Sequence, residues 1–389
     1  MIIYNLLKIL FKLKINFTLP KKYQLLVFDD VSVEDLKNVL KDRTYYVLVS
    51  RPERLKTINL NWNIIKKLFK FKTKNLYTAY LASLVEAVDP KIVITADDLA
   101  LKFSDVAKLL NNKINFMIVQ NSANNKDEFT HLFKTGKLKK NLNEKLFFPN
   151  FYCFGQNEEY EFKRNNIQVK NFFKFGCLRL SNYLQYKKLS NLKIQKRKFD
   201  VALISEFQSP ARNQRWDEKG IDEAFGKLAN YTIEFSKKHN LKFIFILKAI
   251  KMRNTELNFY RNFLTKDNMD YLLTNSRKID REKFSSYTDI EESNVVVGKW
   301  STLLREKLAL KGKILSCNCT NWSIFNFPIN SICSIENPSF EEFENRMIKI
   351  LKMSDHEYFS NFENNLITLD ENNLTFELLN KELNKSINA

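Results

Sequence analysis

The sequence has few of the residues that build the most easily recognised ligand sites. Only 7 of its 389 residues are glycine, and no Walker-type glycine-rich loop occurs in it. It has 3 histidines, and its 5 cysteines show no paired zinc spacing. This usage excludes a recognisable zinc motif and predicts reduced, mostly buried thiols in a cytoplasmic protein.

Long apolar runs are also missing from residues 1–22, which contain no acidic residue. Lysine interrupts the apolar stretch at Lys8, Lys12, Lys14, Lys21 and Lys22, so no segment there is long enough to span a bilayer. No small-residue cleavage site precedes Pro20, and we therefore expect no signal peptide. Two interpretations stay open: a basic amphipathic helix on an anionic membrane surface, or a helix packed on its own domain.

Positive charge is what the chain has in excess. Its 63 lysines and arginines outnumber 44 acidic residues, which gives a formal net charge of +19. Such a charge favours anionic partners, namely phosphates, acidic glycans, nucleic acid or an anionic membrane face, without choosing among them. A hydrophobic content of 44% predicts a globular protein, and the length allows two domains with substantial cores.

Apolar runs and helical patterns alternate along the chain. In the first half, strands are predicted at 24–28, 45–49, 92–95, 116–120, 151–154 and 169–175, with helices at 33–41, 76–88, 104–110 and 158–164. In the second half, strands are predicted at 200–204, 243–247, 271–273, 295–297, 314–316 and near Ile332, with helices at 224–238, 257–264, 283–287 and 340–353. This alternation predicts an α/β fold with two Rossmann-like doubly wound domains.

These patterns divide the chain into five parts. We expect a basic amphipathic N-terminal segment (1–22), an N-terminal domain (23–182), a basic linker (183–198), a C-terminal domain (199–354) and a helical tail (355–389). The linker is assigned from its six basic residues between Lys187 and Lys198, with no acid among them. A like-charge block of this kind could also contact a membrane or nucleic acid.

Polar residues stand at several predicted strand ends, where open parallel sheets bind their ligands. They are Arg51, Asp97, Asp98, Gln120 and Asn121 in the first domain, and Ser205, Lys248, Ser301 and Thr302 in the second. Asp97 and Asp98 could cap the next helix, or one of them could take a proton from an acceptor hydroxyl. Because the two are adjacent, they do not form an Asp-x-Asp metal motif.

The segment 294–317 predicts one complete strand–turn–helix–strand unit. A buried valine strand is followed by Ser301 or Thr302 as the N-cap of a helix, which ends at Gly312. The helix N-terminus presents hydroxyls and backbone N–H groups, and its dipole favours an anion. Arg305 lies in the first turn, against the dipole, so we expect it to have a partner. An ordinary buried β-α-β unit explains the same pattern.

This segment resembles the donor-binding part of GT-B glycosyltransferases, especially the bacterial surface-carbohydrate (lipopolysaccharide and capsule) biosynthesis proteins. The matching residues are Ser301, Thr302, Glu306, Gly312 and Lys313, whereas Lys299 and Trp300 stand where the family has small residues. Further matches are Asp97, Gln120 and the glycine-containing run 174–179, so that the resemblance extends from about residue 92 to residue 362.

The resemblance implies two domains facing each other across a cleft, with a last helix near 374–383 crossing back to the first domain. It implies that a nucleotide-sugar binds through Ser205, Lys248, Ser301, Thr302, Arg305 and Glu306. It places Arg51, Gln120, Asn121, Arg179 and Arg212 at the acceptor or the cleft, and makes Asp97 or Asp98 the base. No metal and no cofactor besides the donor is expected, because helix dipoles and basic side chains hold the leaving group.

The function expected from this resemblance is transfer of a sugar from a nucleotide-sugar to a surface glycan or glycolipid. The enzyme would be cytoplasmic, with an anionic inner-membrane surface as a further partner. A polyol-phosphate transferase or a nucleotide-sugar epimerase on the same scaffold is the alternative enzyme. A basic nucleic-acid-binding protein is the non-enzyme alternative. It is disfavoured because the sequence has no RRM, HTH, KH or zinc pattern and its aromatic residues lie inside apolar runs.

Overall fold

The computed structural model describes residues 14–71, 73, 75–97, 101–123, 146–165, 167–207, 220–248, 252–277 and 279–388. These residues form two α/β units. The first unit contains the described residues within 1–122, 142–182 and 368–389, and the second contains those within 123–141 and 183–367.

A six-stranded parallel sheet forms the centre of the first unit. Its strands, in spatial order, are β3 (Tyr46–Leu48), β2 (Leu25–Phe28), β5 (Ile92–Thr95), β6 (Asn115–Val119), β7 (Phe147–Cys153) and β8 (Gln168–Lys174). A separate parallel pair joins β1 (Lys14–Asn16) to β4 (Thr57–Asn59). Every residue of β2 and β5 is buried, as expected for central strands that need apolar side chains toward both faces of a parallel sheet.

The helices of the first unit include one from the end of the chain. They are α1 (Ser32–Asp35), α2 (Lys37–Leu40), α3 (Trp62–Lys70), α4 (Leu76–Val88), α5 (Leu101–Leu110), α6 (Gln156–Arg164), the start of α7 (Leu178–Leu189), and α15 (Thr375–Asn388). Leu379 and Leu383 of α15 lie in one buried cluster with Leu25 and Ile92 of the central strands. The last helix of the chain therefore covers the sheet of the first unit.

The second unit has a five-stranded parallel sheet. Its strands, in spatial order, are β10 (Phe243–Ile246), β9 (Phe199–Ile204), β11 (Ser293–Gly298), β12 (Lys313–Asn318) and β13 (Ser334–Glu336). Its helices are α8 (Ile221–Lys238), α9 (Arg253–Arg261), α10 (Lys266–Thr274), α11 (Ser285–Glu292), α12 (Thr302–Ala309), α13 (Phe340–Lys352) and α14 (Asp355–Phe359). In both sheets the first strand of the series lies between the second and the third, which is the doubly wound pattern. The predicted fold class, α/β with two Rossmann-like domains, is confirmed.

Two predicted elements are corrected by the structure. The strand predicted at 271–273 is wrong, since these residues belong to α10, where Thr265 caps the helix and Met269 and Leu272 are buried at helical spacing. The segment 183–198 is not a linker throughout. Residues up to Leu189 continue α7, and the buried Tyr183 stacks on Tyr287 with ring centroids 4.9 Å apart. The sequence rules missed these helices because an apolar triplet resembles a strand and a basic run resembles a linker.

The helix predicted at 33–41 is divided at Leu36 into α1 and α2. The helix α3 has no counterpart among the predicted elements. No helix in the described ranges combines the length and the apolar character needed to cross a bilayer.

Candidate active site at the strand ends

In each sheet the order of the strands reverses beside the first strand of the series. The connections that follow the two strands at this point therefore run in opposite directions. Open α/β sheets bind ligands in the crevice that this reversal creates. In the first unit the reversal lies between β2 and β5, and in the second it lies between β9 and β11. The residues that follow these four strands are the candidate site residues of each unit.

Asp29, directly after β2, is the most constrained residue at the first of these positions. Its φ is +79°, in the left-handed region, which costs of order 1–3 kcal/mol for a residue other than glycine. The side chain is buried, and Oδ2 accepts hydrogen bonds from Ser50 Oγ at 2.9 Å and Arg51 Nε at 2.8 Å. The backbone N–H donates to Leu48 O at 2.7 Å. Contacts with the end of β3 therefore hold this strained conformation.

The other carboxyl oxygen of Asp29 has a different environment. Oδ1 is buried and accepts no hydrogen bond from any described residue. Burial, followed by a hydrogen bond with the Asp30 carboxylate, raises the pKa of Asp29. The same hydrogen bond, followed by the Arg54 charge, lowers the pKa of Asp30. The two neighbouring carboxyl groups therefore differ, because the pKa of Asp29 is raised and that of Asp30 is lowered.

Arg51 links Asp29 to Asp97, a residue that the sequence predicted as a base. Its Nη2 lies 2.9 Å from Asp97 Oδ2, so one guanidinium contacts two carboxyl groups from the ends of β2 and β5. The side chains of Arg51 and Asp97 are 37% and 23% exposed, whereas that of Asp29 is 2% exposed. The cluster therefore has a buried inner acid and a solvent-accessible outer one. Asp98 lies outside the described residues.

Two other predicted residues of the first unit meet at Asp35 in α1. Asn121 Nδ2 donates to Asp35 Oδ2 at 2.6 Å, and Arg179 Nη2 lies 2.8 Å from Asp35 Oδ1. The structure thus brings Asn121 and Arg179 together.

The turn before Arg179 contains Gly176, where φ is +90° and an added Cβ would lie 2.2 Å from Thr368 O. Only glycine fits this turn.

The side chain of Gln120, a predicted acceptor or cleft residue, bonds to backbone at both of its polar ends. Its side chain is buried, its Oε1 accepts from Phe154 N at 2.9 Å, and its Nε2 donates to Ser122 O at 3.1 Å. It ties the end of β6 to the residue after β7. The amide is therefore a bridge between backbone segments, and its place at the acceptor or the cleft stays a prediction.

In the second unit, the carboxylate of Glu206 occupies the loop between β11 and α12. Its Oε1 accepts hydrogen bonds from the backbone N–H groups of Lys299 at 2.7 Å and Trp300 at 3.3 Å. A Cβ at Gly298 would come within 3.3 Å of this oxygen, which explains the small residue there. Two N–H donors in front of the helix are thus already satisfied by an anion of the chain itself.

Lys299 is buried, and aromatic rings surround its ammonium group. Nζ lies 3.6 Å from the ring centroid of Phe325, 4.5 Å from that of Trp300 and 4.8 Å from that of Phe225. Such cation–π contacts are worth roughly 2 kcal/mol or more when desolvated. Lys299 and Trp300 stand where the resemblance predicts small residues. There, the Lys299 ammonium is packed among aromatic rings, one of which is that of Trp300.

The start of α12 agrees with the predicted cap. Ser301 Oγ accepts from Leu303 N at 3.3 Å, and Thr302 Oγ1 accepts from Ala123 N at 2.9 Å. Both side chains are partly accessible.

Three predicted donor residues instead lie in the interior of the second unit. Ser205 is buried against Tyr260 Oη at 3.1 Å, and Glu306 is 1% exposed and accepts from Tyr287 Oη at 2.7 Å. Arg305 is also buried. Their burial and these hydrogen bonds give them contacts inside the unit, and their role toward a nucleotide stays a prediction. Lys248 is exposed, and Arg212 lies outside the described residues.

Comparison with known proteins places the chain by its fold. No protein-family model matches it, and no curated protein does. Among solved structures it is similar to the UDP-GlcNAc 2-epimerase of Methanocaldococcus jannaschii, crystallised with UDP-GlcNAc and UDP, at 13% identity and a TM-score of 0.54, over 96% of this chain and 100% of that one. It is also similar to the UDP-GlcNAc 2-epimerase of Neisseria meningitidis, at 12% identity and a TM-score of 0.50, over 93% and 98% of the two chains.

The wall teichoic acid polymerase TagF aligns at 8% identity and a TM-score of 0.48, over 95% of this chain and 90% of that one. At such identities the likeness to the two epimerases shows the fold. The chain thus has a GT-B-like architecture of two Rossmann-like domains.

Proposed function

We propose that the protein is a glycosyltransferase that moves a sugar from a nucleotide-sugar to a surface glycan or glycolipid (lipopolysaccharide, O-antigen or capsule), without a metal ion. The observation that carries the proposal is the accessible Asp97 carboxylate, which Arg51 orients at the switch point of the first sheet. A carboxylate at this position can accept a proton from an attacking hydroxyl if that hydroxyl comes within hydrogen-bond reach.

Each group of the cluster has a defined task in this mechanism. Asp97 removes the proton of the acceptor hydroxyl as its oxygen attacks the anomeric carbon. Arg51 fixes the direction of the carboxylate, since its other end is held by the buried Asp29. Asp29 anchors the same guanidinium from its buried side, where burial raises the pKa of its carboxyl group. Asp98 is the neighbouring candidate for the same role.

The nucleotide is proposed to bind in the second unit, with its phosphates at the start of α12. Ser301 and Thr302 offer hydroxyls there, at the N-terminus of a helix whose dipole favours an anion. Glu206 already accepts from the N–H groups of Lys299 and Trp300, and Ser301 accepts from those of Leu303 and Leu304. The phosphates are therefore proposed to bind mainly through the hydroxyls of Ser301 and Thr302. Lys248 and Arg212 are proposed to neutralise the departing phosphate, which metal-independent transfer requires.

Epimerisation of a nucleotide-sugar is the second candidate function. The overall similarity to two UDP-GlcNAc 2-epimerases, over almost the full length of each chain, favours it. The two functions differ in their need for an acceptor, because an epimerase converts its nucleotide-sugar alone.

A thermal-shift screen against nucleotides and nucleotide-sugars tests both functions first, since a ligand that binds only the folded state raises the melting temperature. The stabilising donor is then incubated with and without glycan acceptors, and with EDTA. Transfer that requires an acceptor and survives EDTA supports the proposal, whereas conversion of the donor alone assigns an epimerase. If no nucleotide or nucleotide-sugar stabilises the protein, both functions are wrong.

The base is tested by Asp97→Asn and Asp98→Asn. Loss of a general base lowers turnover by roughly 10²–10⁴-fold, while donor affinity and melting temperature should stay close to those of the wild type. Asp89→Asn is the matched control, because Asp89 also forms an ion pair in the first unit, with Lys22, but is 64% exposed and away from the strand ends. Full turnover in both test variants would remove the aspartates from the mechanism.

A further inference from the structure

Large apolar side chains are exposed mainly in one part of the first unit. Six of the ten exposed large hydrophobic residues among the described ones belong to two segments, 15–19 and 62–76. They are Ile15, Phe17, Leu19, Trp62, Phe69 and Leu76, and four of them are at least 67% exposed. We call these six residues, with the lysines between them, the apolar-basic face.

The two segments are joined by hydrogen bonds. β1 pairs with β4 in parallel, with Lys14 opposite Thr57. Beyond the pair, Asn61 Nδ2 donates to Phe17 O at 2.7 Å, directly before α3 begins. The exposed residues after β1 therefore lie beside the N-terminus of α3.

α3 itself has two different sides. Ile64 is fully buried, which anchors one side of the helix to the unit. Trp62 and Phe69 are exposed, and because they are seven residues apart they project from the same side, two turns from each other. Lys66 and Lys70 are exposed between and after them. The packing of the unit therefore does not account for these two aromatic rings.

The charge of this face has one sign. Residues 56–75 contain six lysines and no acidic residue. The carboxylate that approaches α3 is Glu86, whose side chain is 11% exposed and pairs with Lys67 at 3.4 Å and with Lys70 and Lys113 at 3.8 Å. Asp89, directly after α4, pairs with Lys22 at 2.8 Å. A positive surface remains around the exposed rings.

We propose that the apolar-basic face binds the headgroup region of an anionic phospholipid bilayer without crossing it. Aromatic and aliphatic side chains enter the boundary between headgroups and acyl chains, and lysines stay at the level of the lipid phosphates. Each lysine near an anionic surface contributes about 1 kcal/mol, which corresponds to about fivefold in affinity. This places membrane contact on α3 and the strand before it.

A bilayer fits the face better than nucleic acid does. Nucleic acid would use the lysines and could stack on the rings, but the aliphatic Ile15, Leu19 and Leu76 would stay in water. A lipid surface accommodates both kinds of side chain at once, since it offers phosphate charge above an apolar layer.

Flotation of the full-length protein with lipid vesicles tests the proposal. We expect binding to vesicles of phosphatidylglycerol and phosphatidylcholine, and much weaker binding to phosphatidylcholine alone. Trp62→Ser combined with Phe69→Ser should weaken binding by at least about tenfold, and Lys66→Glu by at least about fivefold. The matched control is Tyr160→Ser with Leu189→Ser, which removes two side chains that are 62% and 76% exposed elsewhere.

The location of the contact is read from tryptophan fluorescence. Brominated lipids should quench the wild type, and Trp62→Phe should lose that quenching while keeping most of the binding. Three outcomes would overturn the proposal: equal binding to both vesicle types, equal loss in the control variant, or a lower melting temperature of Trp62→Ser with Phe69→Ser, which would make the face part of the protein interior. Binding of oligonucleotides that the same variants abolish, without vesicle binding, would assign the face to nucleic acid.

Discussion

The carboxylate of Glu206 accepts a hydrogen bond of 2.7 Å from the backbone N–H of Lys299. The two residues follow β9 and β11, which are neighbours in the second sheet. A single side chain therefore holds together the two loops between which the sheet order reverses. Its carboxylate also places a negative charge at the position proposed for the negatively charged phosphates of the nucleotide.

Replacing Glu206 by Ala should lower the free energy of unfolding by roughly 1–3 kcal/mol, because two buried N–H groups lose their acceptor. Inorganic phosphate or sulfate should then raise the melting temperature of the variant more than that of the wild type, since the freed donors can bind an anion. Thermal melts with and without the anion measure this effect. The exposed Glu282→Ala is the control, and an equal anion response in all three proteins would contradict the prediction.

Asp29→Asn tests the raised pKa of Asp29. A group whose pKa is raised on folding adds stability at low pH and loses it as the pH rises through its folded pKa. Burial raises the pKa of Asp29, so the wild type should be most favoured over the variant at a pH below 3.8, the ordinary value, and progressively less above it. Urea unfolding of both proteins across this range measures the difference. A difference that grows with pH would show that Asp29 is ionised in the folded protein.

Lys307 gives a pH dependence at the alkaline end. Its Nζ donates to Ile290 O at 2.6 Å and Ser293 O at 2.9 Å, and burial lowers its pKa to about 8. The unfolded chain binds this proton up to about pH 10, so the charged form is penalised in the folded state below about pH 8. The stability of the wild type relative to Lys307→Met should therefore rise by about 2 kcal/mol between about pH 8 and pH 10.

Denaturant unfolding at several pH values measures this rise. Lys266→Met removes an exposed lysine from α10 and should give a profile parallel to that of the wild type. If the profile of Lys307→Met is also parallel to that of the wild type, folding does not shift the pKa of Lys307.

Gly176→Ala and Gly220→Ala separate backbone strain from steric clash. Both glycines have a positive φ, of +90° and +112°, so alanine costs about 1–2 kcal/mol at either position. A Cβ at Gly220 meets no described atom within 4 Å, whereas at Gly176 it would lie 2.2 Å from Thr368 O. We expect Gly176→Ala to destabilise by at least about 3 kcal/mol and Gly220→Ala by no more than about 2. Equal losses in chemical denaturation would show that the Thr368 segment moves aside.

Much of the fold follows from local patterns that tertiary contacts do not override. The strand at Ile92–Thr95 and the helix at Leu76–Val88 have the predicted bounds, because a short apolar run and a long periodic one are unambiguous. The strand predicted at 271–273 failed since Tyr-Leu-Leu is equally apolar in a helix, and the deciding residue is the cap Thr265, outside the triplet.

The site was less predictable than the fold. Asp97 was found because it follows an obvious strand, and the same rule applied to the strand at 24–28 would have identified Asp29. Its strained backbone could not have been found, since Ser50 and Arg51, about 20 residues away in sequence, hold it in place. The bridging contact of Gln120 was missed for the same reason, because its partner Phe154 follows another strand.

The helix α15 has a consequence for synthesis of the chain. Thr375 Oγ1 donates to Phe175 O across 200 residues of sequence, and Leu379 and Leu383 close the core around Leu25. A ribosome adding roughly 5–20 residues per second needs about 10–40 s to make that intervening stretch. During that time the sheet of the first unit has emerged with one apolar surface uncovered. The first unit therefore starts to fold before the second but is completed after it. Chaperones that bind incompletely folded chains would bind the N-terminal half of this one.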